Sequence, residues 1–164
     1  MKRRRADDAA REKAMISFSI FIEKFADSFL IVDKCRDVGE DFGPAAPSLV
    51  AAVAGRKTAT LSKRAGSLKS YGAWLAAQGW GPDAVMLEPA LYGYLGHLTE
   101  TNVGGTAGIA LLAALNFSAA IFESRVPAPT RSARVRGLVT VLSRRRHCRG
   151  PRYPLSVAML KAGA

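Results

Sequence analysis

The stretch TATLSKRAGSLKSYGAWLAAQ, Thr58–Gln78, decides the fold class of this chain. Leu61, Ala65, Leu68, Gly72 and Leu75 recur at three- and four-residue intervals with Tyr71 at their edge, the period of a helix that buries one face. Thr58 or Thr60 supplies an N-cap, and Gly79 supplies the stop. A glycine inside a helix costs about 1 kcal/mol relative to alanine. Gly72 falls on the apolar face, where a missing side chain permits close helix packing; Gly66 has no comparable reason.

Downstream, the same period repeats. Pro89 opens a helix at a position where its missing N–H is harmless, and Leu91, Tyr94, Leu95 and Leu98 form its stripe, ending at 102–105. Thr106 caps a third helix with Leu111, Leu112, Leu115, Ala119 and Phe122 inward. Pro127 and Pro129 separate it from a fourth, 130–147, lined by Val135, Leu138, Val139 and Leu142. Gly150, Pro151 and Pro154 break that helix, and 155–161 reads as the opening of another. Upstream, Phe18, Phe21, Ile22, Phe25, Phe29 and Val32 make one amphipathic helix of residues 6–35. Its stripe either docks on the rest of the chain or presents itself to a partner. Gly39, Gly43, Pro44 and Pro47 punctuate the segment between this helix and Thr58.

The expected fold class is therefore all-α, a four-helix bundle preceded by an amphipathic N-terminal helix. The expected organisation is an N-terminal helical segment (1–42), a Pro/Gly linker (43–57), a four-helix domain (58–147) and a basic tail (148–164). A hydrophobic content of 49% across 164 residues suits a packed core.

Charge is where the composition departs from the ordinary. Residues 1–42 hold nine basic and nine acidic side chains, so the whole formal charge of +11 lies after them. Arg56 to Lys69 contains five basic residues and Arg125 to Arg152 nine, neither with an acid between. Solubilising surface charge normally mixes both signs. Two uncompensated blocks suit a polyanion.

Signals for other functions are weak. Cys35 and Cys148 lack the spacing of a zinc or redox pair. Gly104–Gly108 follows a helix rather than a strand, and no Lys-Ser or Lys-Thr completes a phosphate loop. His97 and His147 are fifty residues apart without a carboxylate motif. Asp83 and Glu88 flank a loop before a helix. The reading is no enzyme, cofactor, metal or small-molecule substrate. The basic start Met1–Arg5 runs into Asp7, Asp8 and Glu12 instead of an apolar run, and Ala14–Val32 is interrupted by Glu23, Lys24 and Asp27. The expected location is intracellular with no membrane contact: the nucleus in a eukaryote, otherwise cytoplasm or nucleoid.

Thr60, Leu68, Tyr71, Trp74 and Leu75, then Tyr94-Leu95 with Leu98, then Thr106, Leu112, Leu115 and Phe117, and finally the basic Arg131–Arg146 helix, stand in an order that resembles the core-binding domain of tyrosine recombinases, the phage-integrase family. Pro154-Leu155-Ser156 with Met159-Leu160 resembles the start of that family's catalytic domain. Arg64 departs from the pattern, where the family often has Tyr. The resemblance spans about residues 58–162. It implies a clamp on one face of duplex DNA, with strand exchange belonging to a catalytic domain whose nucleophilic Tyr, His and Arg set has no counterpart here: Tyr153 lies in a linker without a His-x-x-Arg partner. A truncated or degenerate mobile-element protein fits, with a recombinase-type partner or self-association left open.

The expected partner is thus duplex DNA, gripped by its phosphates. With the fourth helix's apolar stripe turned inward, Arg136, Thr140 and Arg144 share one outer flank, and Arg134 and Arg145 the other. Lys63, Ser67 and Ser70 point outward from the first helix of the bundle, and Arg149 and Arg152 follow the chain around the duplex. The competing reading is a helical protein-interaction module that uses the Phe-rich 14–32 helix, with the basic runs merely solvated or acting as import signals.

Overall fold

A computed structural model describes residues 1–148, with side chains through Arg145. Arg149, Arg152, Tyr153 and the expected helix at 155–161 lie outside the described residues. Seven α-helices account for most of the rest: α1 (Lys2–Lys24), α2 (Ile31–Asp37), α3 (Pro47–Val53), α4 (Thr58–Ala77), α5 (Glu88–Glu100), α6 (Thr106–Ile121) and α7 (Ala133–Cys148). The class is all-α.

Helix α4 is central. Leu61, Ala65, Leu68, Tyr71, Gly72 and Leu75 are buried, the face its period predicts. Helices α1 and α6 both pack against it, while α7 packs against α5 and α6. Tyr71 is fully buried and keeps its hydroxyl satisfied by donating to Val85 O at 3.1 Å. Burial raises the Tyr71 phenol far above its ordinary pKa, and the Tyr94 phenol beside it adds to the effect. None of Thr58, Thr60 and Thr106 is a cap: the N-cap positions of α4 and α6 are Lys57 and Gly105, neither with a side-chain cap bond. Thr58 is the first helical residue, is buried, and donates its hydroxyl to Asp7 Oδ2 at 3.1 Å.

The Phe stripe docks. Phe18, Phe21, Phe25 and Phe29 are all buried, in one cluster with Phe122 at the end of α6. Phe18 meets Phe122 edge-on at 5.2 Å between ring centroids, and Phe29 meets it at 6.1 Å. Residues from Ala14 to Cys35 therefore contribute to the core, and the stripe is not a free face.

Two local expectations are corrected. The predicted single helix 6–35 runs further toward the N-terminus and breaks at Phe25, where the chain makes a short 3-10 turn, Ala26–Ser28, and then bonds to the end of α6. Leu30 N donates to Glu123 O at 2.7 Å, and Arg125 N donates to Ser28 O at 3.0 Å. These bonds form at the end of α6, where Glu123 adopts a left-handed backbone (φ 56°). Tertiary hydrogen bonds outweigh the local propensity to continue the helix. The predicted linker 43–57 contains α3. Pro47 starts that helix instead of breaking the chain, and Glu40 closes its first turn, accepting from Ser48 N and Ser48 Oγ, each at 3.0 Å. Arg11 of α1 then ties the far end of α3, donating to Val53 O and Arg56 O, each at 2.9 Å.

Candidate nucleic-acid interface

Helices α4 and α7 both reach the neighbourhood of the α5–α6 turn, residues 101–105. Beside it, Ser67 and Ser70 of α4 line a cleft of about 210 Å³ with Leu98, Val103 and Ala107 from either side of the turn. On the α7 side, Leu142 and Val139 close over Gly108, whose missing side chain admits them: a Cβ there would lie 3.2 Å from Leu142 Cδ1. The Arg145 guanidinium reaches on to donate to Thr99 O. Two helices with no acidic residue of their own, α4 and α7, therefore flank one turn.

The expected contact residues divide into three groups. Lys63, Ser70 and Arg144 are exposed, and their side chains carry no bond to other described residues; Ser67 is half-buried at the cleft. Arg136 and Thr140 are exposed on the same flank of α7, two positions of one local network. Arg136 Nε donates to Thr130 O at 3.2 Å, and Thr140 Oγ1 donates back to Arg136 O at 3.0 Å. Most of the Arg136 guanidinium remains available, since one of its five donors is used.

Arg134 and Arg145 form the third group, because their donors turn inward to the chain. Arg134 grips both carboxylate oxygens of Glu88 and lies over the Tyr92 ring at 4.2 Å from its centroid. The Glu88 carboxyl is held below its ordinary range by that hydrogen bond with Arg134, helped by Ser132, whose hydroxyl donates at 3.0 Å. Arg134 is thus paired at the surface, its side chain 54% exposed, and it links α7 to the start of α5. The sequence contained both partners, but nothing local joins residues 46 apart.

Compared with protein-family models, with curated proteins and with solved structures, the chain gives no significant match. The likeness to a recombinase core-binding domain rests on the residues quoted for it.

Among the described residues no group of three or more His, Cys, Asp or Glu side chains converges as a metal site would require. His97 is stacked beside Tyr94, with centroids 6.2 Å apart, and also contacts Trp74. Cys35 is buried, and that burial raises its thiol pKa. Glu123 pairs with Lys34 and Asp33 with Arg125, so these acids join the N-terminal segment to the end of α6. No helix among the described residues is long and apolar enough to cross a membrane.

Proposed function

We propose that this chain binds duplex DNA through its phosphates, in the manner of a recombinase core-binding domain, and that the residues present act by binding rather than by catalysis. The observation that supports this reading best is the approach of α4 and α7, both without acids, to the two sides of the α5–α6 turn. Lys63, Ser67 and Ser70 would meet one strand's backbone and Arg136, Thr140 and Arg144 the other, with Arg149 and Arg152 continuing along it. Arg145 keeps a contact role only through the donors that Thr99 does not use. The reading in which the Phe stripe seats a partner is disfavoured, because that stripe is filled from within the chain.

A salt titration of binding to a random-sequence duplex tests the proposal. Neutralising about five or six phosphates predicts that log K falls against log[salt] with a slope of roughly −5. A slope near zero, or no binding at low salt, would sink it.

A further inference from the structure

The flank of α1 beside the Phe stripe is not an ordinary solvated one. Along the seam where α1 crosses α4 run two adjoining grooves of about 410 and 430 Å³, both bordered by Lys13, Ser17 and Lys69. The first is floored by Ile16, Ile20, Phe21 and Phe25, and closed at its end by Lys24. Ile20 is 59% exposed and Ile16 42%, so two branched aliphatic side chains stand in water on a helix that had polar alternatives. The seam is deep because Gly72 lets the helices approach: a Cβ there would sit 2.9 Å from the Phe21 ring.

The charged side chains bordering these two grooves are all cations. Asp8 and Glu12 lie on another flank of α1, in the cleft toward α3 with Arg11, Pro44 and Val50. No acid lines either groove on the α4 side, and none of the three lysines there is in an ion pair among the described residues. Lys13 to Lys24 spans about 17 Å of helix, or three turns.

We infer that this groove seats an acidic amphipathic helix of a protein partner, its apolar stripe on Ile16 and Ile20 and its carboxylates against Lys13, Lys24 and Lys69. The concave apolar floor suits side chains spaced i, i+3, i+4 and i+7, the helix-in-groove mode. A phosphate backbone has nothing to place on such a floor. A second copy is opposed by the net charge of +11 that both copies carry.

The test uses the full chain and a synthetic eighteen-residue helix, about five turns, with Leu at the stripe positions and Glu on both flanks. Its binding is followed by fluorescence anisotropy at low ionic strength. Binding is expected to fall at least tenfold for Lys13→Glu with Lys69→Glu, and likewise for Ile20→Asp, an exposed position whose thermal unfolding should match the parent. Lys63→Glu, on the outer face of α4, should leave it within twofold. Equal loss from Lys63→Glu, equal binding by poly-glutamate without a stripe, or no binding would each overturn the inference. Phosphatidylserine vesicles that bind where the peptide does not would give the groove to a lipid surface. Concentration-dependent dimerisation abolished by Ile20→Asp would give it to a second copy. Either result overturns it as well.

Discussion

Gly72 of α4 faces Phe21 of α1 so closely that a Cβ at Gly72 would lie 2.9 Å from Phe21 Cδ2, and 3.1 Å from Phe25 Cε2. Two helices separated by more than thirty residues of chain owe their spacing to that missing side chain. Gly66, six residues earlier on the same helix, has nothing within 4 Å of its would-be Cβ. The two glycines should therefore respond in opposite directions. Gly72→Val overpacks the seam and is expected to lose about 1–3 kcal/mol. Gly66→Ala relieves a helix-interior glycine and should gain about 1 kcal/mol. Urea unfolding of both variants checks the pair, and a loss at Gly66 as large as at Gly72 would contradict it.

The N-terminal segment is expected to be indispensable. Phe18 is fully buried against Phe117 and Phe122, and truncating such a ring costs about 3–5 kcal/mol. A domain of this size has only about 5–15 kcal/mol in total. Phe18→Ala should thus leave a marginal fold, and deletion of residues 1–42 should abolish cooperative unfolding by far-UV circular dichroism. A sharp transition in the deleted chain would show that the bundle stands without α1.

Acid should weaken the attachment of α7. The Glu88 carboxyl is held below its ordinary pKa chiefly by Arg134. A depressed carboxylate stabilises the fold fully above its unfolded value, about 4.3, and that contribution is lost as pH falls through the folded value. The stability gap between the parent and Glu88→Gln should be constant above about pH 5 and close progressively as pH falls below about 4.3 and through the folded value. A gap that widens on acidification would reverse the sign. Glu40, lowered by its bond from Ser48 N, should behave alike at α3.

DNA binding should separate Arg144 from Arg134, though both belong to α7. Arg144 is exposed and unpaired among the described residues, whereas Arg134 is taken up by Glu88. Arg144→Gln should make the salt slope shallower by about one unit, with similar weakening for all sequences. Arg134→Gln should lower stability and leave the slope near the parent's. Arg3→Gln with Arg4→Gln, on the charge-balanced segment, should also leave it. Equal shifts from all three would mean that any positive charge suffices.

What the sequence made legible was the part carried by local period. The buried faces of α4 and α5 and most of that of α7 follow from three- and four-residue spacing, with Val135, Val139 and Leu142 buried as expected. On α6, by contrast, Leu112 and Ala119 are only partly buried, and Ala114 and Ser118 are buried with Leu111 and Leu115. The break at Phe25 was not legible, because its cause is Glu123 O, which accepts from Leu30 N across more than ninety residues. Pro47 was ambiguous in kind: a proline both ends and begins helices, and only Glu40 beneath Ser48 shows which. For the candidate interface, the charge blocks could be counted, but counting cannot tell a solvent-facing arginine from one spent on Glu88. Arg144 and Arg134 look alike until the fold brings α5 alongside α7.

The contact of Phe18 with Phe117 and Phe122 has a consequence in time as well as in space. A chain made from its N-terminus at about 5–20 residues per second extrudes Phe18 roughly five to twenty seconds before Phe122 exists. Throughout that interval the aromatic side of α1 has no native partner, and its closure must await almost the whole bundle. Nascent chains of this protein should accordingly be clients of a holdase until α6 has emerged. Moving α1 behind α7 by circular permutation would shorten that dependence without changing a single packed ring.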